Sequence, residues 1–257
     1  MSPRAGALAR IALTSLLPLT PLTARADDGK ALGTFLLQIG ETRVGSVRAT
    51  ELAERPGAPN LVVSSAEITP ALGAIVDGFA AGKALRSSVR LSTGAVAKKA
   101  EGARLASVKL PAMGAGGALD LELGFLAPSI TTQPVLSLAR ASARSPSGGR
   151  ITGFRVALDG LPAGSASKLD AITIVHRPDG AVTTSAIGFE VTAGGAPPFS
   201  KWLEKPTARG MHVEYVGADG SALLKIQLDR CAPSSVTPMG ASATTRVSVR
   251  CAAVRPG

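Results

Sequence analysis

Leu110-Pro111-Ala112-Met113-Gly114-Ala115, a glycine-rich connector, and then Leu119-Asp120-Leu121-Glu122-Leu123-Gly124-Phe125 form the stretch that decides the fold class. In its last part apolar and polar residues alternate, so Leu119, Leu121, Leu123 and Phe125 share one face and Asp120, Glu122 and Gly124 the other. That period of two predicts a half-buried strand. The arrangement returns near the end of the chain: Pro238-Met239-Gly240-Ala241 precedes Val247, Val249 and Cys251, which alternate with Arg246, Ser248 and Arg250. A turn and strand repeated half a chain apart predict an internal duplication.

Working outward, each half carries the same ordered series. In the first, Gly33 to Ile39 reads as a strand with Phe35, Leu37 and Ile39 on one face, and Val44 to Ala49 as its hairpin partner. Leu61-Val62-Val63 is a short strand. The period then changes: Thr69 is an N-cap candidate, Pro70 sits at the first helical position, and Leu72, Ile75, Val76 and Phe79 recur at helical spacing before Gly82. Ser87–Leu91, Leu105–Leu110 and Leu119–Phe125 follow as strands. In the second half Phe154 stands where Phe35 stood, Lys168–Val175 reads as one strand, and Ala186–Val191 as another. Pro197-Pro198 opens a helix with Phe199, Trp202 and Leu203 inward, and Arg209 echoes Arg86. Val213–Val216, Leu223–Leu228 and Val247–Cys251 complete the set.

The expected fold is mainly β: two tandem β-barrel or sandwich domains, each with one flanking helix. The first spans 31–138 and the second 151–257, joined by a basic Ser/Gly-rich linker at 139–150. Residues 1–26 read as an export signal, from Arg4, Arg10, the broken apolar run Ile11–Leu22 and Ala24-Arg25-Ala26. Cleavage near Ala26 would leave a periplasmic or extracellular protein. It would also lower the net charge from +10 to about +7. A dispersed basic surface is the reading preferred to a nucleic-acid site, because no aromatics interleave the one adjacent basic pair, Lys98-Lys99. No other segment has the roughly 20 apolar residues of a spanning helix.

The hairpin with its early Phe, the single helix, the basic strand after it and the Leu-Pro-Ala-Met-Gly-Ala turn resemble the tail-tube-like proteins of contractile phages and related injection machines. Phe154-Arg155-Val156-Ala157-Leu158-Asp159-Gly160-Leu161, followed by Lys168-Leu169-Asp170-Ala171-Ile172-Thr173-Ile174, is the closest stretch and is similar to a two-copy branch of that family. The resemblance implies a small barrel or sandwich with one helix per copy, whose subunits join edge to edge into rings that stack as a hollow tube. It brings no catalytic residues.

Chemistry is sparse. His176 and His212 lie in no metal-binding spacing, there is no G-x-S-x-G elbow, and Asp159, Asp170 and Asp179 form no calcium loop. Met113 to Gly117 precedes a strand, so it lacks the helix N-terminus of a phosphate cradle. No catalytic, cofactor or metal residues are assigned. Cys231 and Cys251 read as one disulfide in an exported chain, against the alternative of two reduced core thiols. Cys251 shares the inward face of Val247 and Val249 while Cys231 falls on the outward face of its strand, so a bulge must turn Cys231 around. The function expected is a non-enzymatic structural, assembly or interaction protein, with self-assembly or protein partners through edge strands and loops, no specific nucleic acid and no cofactor. The alternative is an exported binding module or hydrolase with a shallow loop-borne site.

Overall fold

The computed structural model describes residues 29–52, 58–94, 96–114, 119–134, 148–177, 179–240 and 243–257. The export signal, the glycine-rich connector at 115–118 and residues 139–147 of the expected linker lie outside them. The protein is mainly β, with eighteen strands and two α-helices among the described residues.

The first half closes a six-stranded barrel. Its strands are β1 (Gly29–Ile39), β2 (Thr42–Leu52), β3 (Leu61–Ser65), β5 (Arg86–Thr93), β6 (Val96–Leu110) and β7 (Leu121–Leu126). Antiparallel pairing runs around the ring in the order β6-β5-β1-β2-β3-β7 and returns to β6. Closure removes the sheet edges that an open array would leave. The expected hairpin is present, with Phe35 opposite Val47. Phe35, Leu37, Ile39, Val89, Leu91, Leu105, Leu123 and Phe125 are all buried, as their period of two dictates. Leu119 departs from the reading: it precedes β7 and is 39% exposed.

Between β3 and β5 lie β4 (Glu67–Ile68) and α1 (Pro70–Ala80). Thr69 caps the helix, its Oγ1 accepting from the Leu72 N–H at 3.2 Å while donating to the Val44 carbonyl at 2.6 Å. Leu72, Val76 and Phe79 are buried; Ile75 is only half-buried.

The second half repeats the strand order without closing it. β8 (Thr131–Pro134) ends the first half. Then come β9 (Gly149–Arg150), β10 (Gly153–Leu158), β11 (Lys168–Leu169), β12 (Ile172–His176), β13 (Val182–Thr184) and β14 (Ile187–Thr192). These are followed by α2 (Pro197–Glu204), β15 (Arg209–Val216), β16 (Ala222–Pro238), β17 (Thr244–Arg250) and β18 (Ala253–Pro256). The sheet runs β10-β15-β16-β17-β14-β11, with β18 on β16 as β8 lies on β6. Gly149 and Arg150, read as linker, pair as a strand with Ile68 and Glu67.

Three further readings are corrected. Lys168–Val175 is two strands, because the chain leaves β14 after Leu169 and β12 pairs with β6 of the first half. Leu203, expected inside, is 37% exposed; Phe199 and Trp202 alone carry the inner face of α2. Pro238 is the last residue of β16, opposite Thr245, whereas Pro111 lies just beyond β6, so the two turns are one residue out of step. The buried apolar side chains of both halves form one contiguous core.

Candidate functional site

The residues singled out for chemistry are spread through the fold and satisfied locally. His176, at the end of β12, stacks on Phe79 of α1 with ring centroids 3.9 Å apart, and its Nε2 lies 2.7 Å from the Phe79 carbonyl. Because a carbonyl only accepts, Nε2 carries the hydrogen of that bond. His212 sits exposed on β15. Asp159 Oδ2 accepts from the Gly210 N–H at 3.0 Å, Asp170 pairs with Arg246, and Asp179 accepts from the Ala181 N–H at 3.0 Å. Trp202 donates its indole N–H to the Thr207 carbonyl at 2.8 Å, with the Arg209 guanidinium 5.9 Å above its ring. No group of three or more His, Cys, Asp or Glu able to hold a metal occurs among the described residues.

Cys231 and Cys251 are joined, their sulfurs 2.07 Å apart and their Cα atoms 3.9 Å apart, closer than the expected range. The bulge that the sequence demanded is present. Three steps along β16, from Leu228 to Cys231, oppose two along β15, from Met211 to Arg209. Arg230 within it has φ +51°, and Cys231 is thereby turned fully inward.

The feature that sequence reasoning missed is the seam between the halves. Leu110 pairs with Ile172, Lys109 with Thr173, Val108 with Ile174 and Ser107 with Val175. The same register continues past Pro111, which has no N–H to give, to a two-bond bridge between Met113 and Leu169, with N···O distances of 2.7 and 2.8 Å. Leu110, Val108, Ile172, Ile174 and Leu169 are completely or almost completely buried. Tyr215 reaches the seam from β15, donating its hydroxyl to the Pro111 carbonyl at 3.1 Å; burial pushes its phenol far above the usual tyrosine range. Gly114 closes the segment at φ +120°, where a Cβ would lie 2.8 Å from the Lys168 side chain. The stretch Leu110–Gly114 thus joins one half to the other by main-chain pairing. The only signal for this in the sequence was the apolar pair Ile172 and Ile174.

Charge is also unevenly arranged. In the second half Glu214 sits between Arg155 (3.3 Å) and Lys225 (3.1 Å), and their hydrogen bonds, that of Lys225 foremost, hold its carboxyl below the usual range. Lys168–Glu190 and Arg255–Asp229 are likewise paired. Burial raises the Asp77 carboxyl on α1, and hydrogen bonds from Ser221 lower that of Asp219.

No protein-family model matches the chain, and neither does any curated protein. Among the described residues no helix is long and apolar enough to cross a membrane.

Proposed function

We propose that the chain is a non-enzymatic structural or assembly protein of the phage tail-tube-like kind, exported after cleavage near Ala26, whose copies or partners join through edge strands. One observation carries this reading. The halves are joined edge to edge by main-chain pairing, β12 adding to β6 with its apolar face buried. Main-chain addition at an edge asks little of the partner's side chains, so the device that joins halves serves equally to join copies. Several edges remain for such use among the described residues, β13 and β10 among them. β13 ends the larger sheet, and β10 has β15 on one side and no strand on the other. The cysteine bridge suits an oxidising compartment.

Electron microscopy and sedimentation of the purified mature protein test the proposal. Rings, tubes or discrete oligomers are the expected outcome. A monomer at all concentrations, unaffected by Pro substitution in β10 or β13, would count against it.

A further inference from the structure

The outer face of the first barrel carries a block of unneutralised positive charge. One row of directly opposed residues crosses four strands: Arg43 on β2, Gln38 on β1, Arg90 on β5 and Lys99 on β6. A second pair on the same face sets Arg86 directly opposite Arg104. Arg43, Arg86, Arg90 and Arg104 are exposed and have no ion pair or side-chain hydrogen bond among the described residues; Lys99 alone meets an acid, Glu101. Like charges placed directly opposite on a sheet repel, and here two such pairs adjoin.

The second half shows that the fold does not require this. The bulge on β6, where Gly102 has φ +60°, matches the bulge on β16 at Arg230, and this sets the two ladders in register. The positions answering Arg90, Lys99, Arg86 and Arg104 are then His212, Gln227, Ala208 and Ala232, and that answering Gln38 is Ala157. On that half the cations are interleaved with acids, as in the row Arg155–Glu214–Lys225.

We infer that this face of the first barrel docks on an anionic lipid surface. The array is the outside of a sheet, too broad to enter a nucleic-acid groove, and it carries no aromatic side chain on which a base could stack. In the next row along β1, on the same face, Leu36 is 39% exposed. Basic residues with an apolar neighbour at their rim suit the boundary between headgroups and acyl chains. The acids not already paired, such as Glu41 and Glu51, form no matching block that would let a second copy neutralise the face. The inference uses the barrel's outer face and is independent of edge-strand assembly.

The test is co-sedimentation of the full chain with vesicles of phosphatidylcholine, with and without a quarter of phosphatidylglycerol, beside a fluorescent DNA duplex. Binding to the anionic vesicles only, released by salt, is expected. The R86Q/R90Q/R104Q variant should bind roughly a hundredfold more weakly. R86K/R90K/R104K, and K201Q/K205Q/R250Q with three cations removed from the other half, should bind as the parent does. Absence of vesicle binding, equal loss in both glutamine variants, or binding to the duplex without the vesicles would each overturn the inference. Melting curves of every variant separate lost binding from lost fold.

Discussion

The two halves pair their strands alike and differ at one seam. Five neighbour relations of the first barrel, β1–β5, β5–β6, β6–β7, β7–β3 and β3–β2, recur as β10–β15, β15–β16, β16–β17, β17–β14 and β14–β11. The sixth, β1–β2, is the longest ladder of the first half and has no counterpart, since β10 and β11 do not pair. At that opening Leu169, which answers Ala49 of β2, takes Met113 of the first half as partner, where Ala49 takes Gly33. The strand continuing from Leu169, β12, is then free to extend the first half's sheet. The lesson is that a ladder left open in one half frees a strand to pair with the other, so that main-chain hydrogen bonds join the halves.

The comparison is broken most severely at the seam. Ile174→Asp places an unpaired carboxylate at a completely buried site opposite Val108. It should cost more than about 4 kcal/mol and destabilise both halves together. Trp202, the only tryptophan, reports on the second half by fluorescence, and circular dichroism reports on the whole. Coincident transitions are expected in the parent protein, and separated ones would show that the halves unfold independently.

Next in size are the helix anchors. Phe79→Ala and Trp202→Ala should each cost about 3–5 kcal/mol in denaturant unfolding, both side chains being buried. Phe79→Ala should have the wider reach, because it also removes the ring on which His176 of the seam strand rests. Equal effects confined to each half would weaken the picture of a shared core.

The disulfide sharpens the comparison further. Register places Ala103 and Ala127 of the first half where the second has Cys231 and Cys251. Replacing both cysteines with Ala therefore copies a pair the fold already accepts, and should cost about 3 kcal/mol or less on the chain-entropy model. Non-reducing peptide mapping establishes the bridge, and calorimetry of the double variant measures the loss.

The smallest effects lie at the bulges and in the charged row. Gly102→Ala should cost about 1 kcal/mol and Arg230→Gly should stabilise by up to about that amount, since both positions have positive φ. The Glu214 carboxyl is lowered in the folded state, so its contribution is present above the ordinary carboxylate range and is lost as pH falls through the folded value. Glu214→Gln should flatten that part of the stability–pH profile, by less than the bulge substitutions because the row is solvent-accessible.

Local structure was legible because its causes are local. Thr69-Pro70 followed by helical spacing determines α1, period-two runs determine β1, β7 and β17, and the wrong-facing Cys231 calls for a bulge. Leu119 falls before β7 begins, and Leu203 lies in the last turn of α2 outside its buried face, so neither apolar pattern holds to its end.

What the sequence by itself determined is therefore the mainly β class, the two helices, the principal strands of the barrel, and the need to reorient one cysteine. Only the tertiary structure decided which strands meet: the break of Lys168–His176 between two sheets, the Met113–Leu169 bridge, and the gathering of Arg86, Arg90 and Arg104 on one face. The physical reason is that strand pairing is made by main-chain N–H and C=O groups, which are alike at every residue. Side-chain periodicity says which face of a strand is buried, and says nothing of the neighbour along its edge.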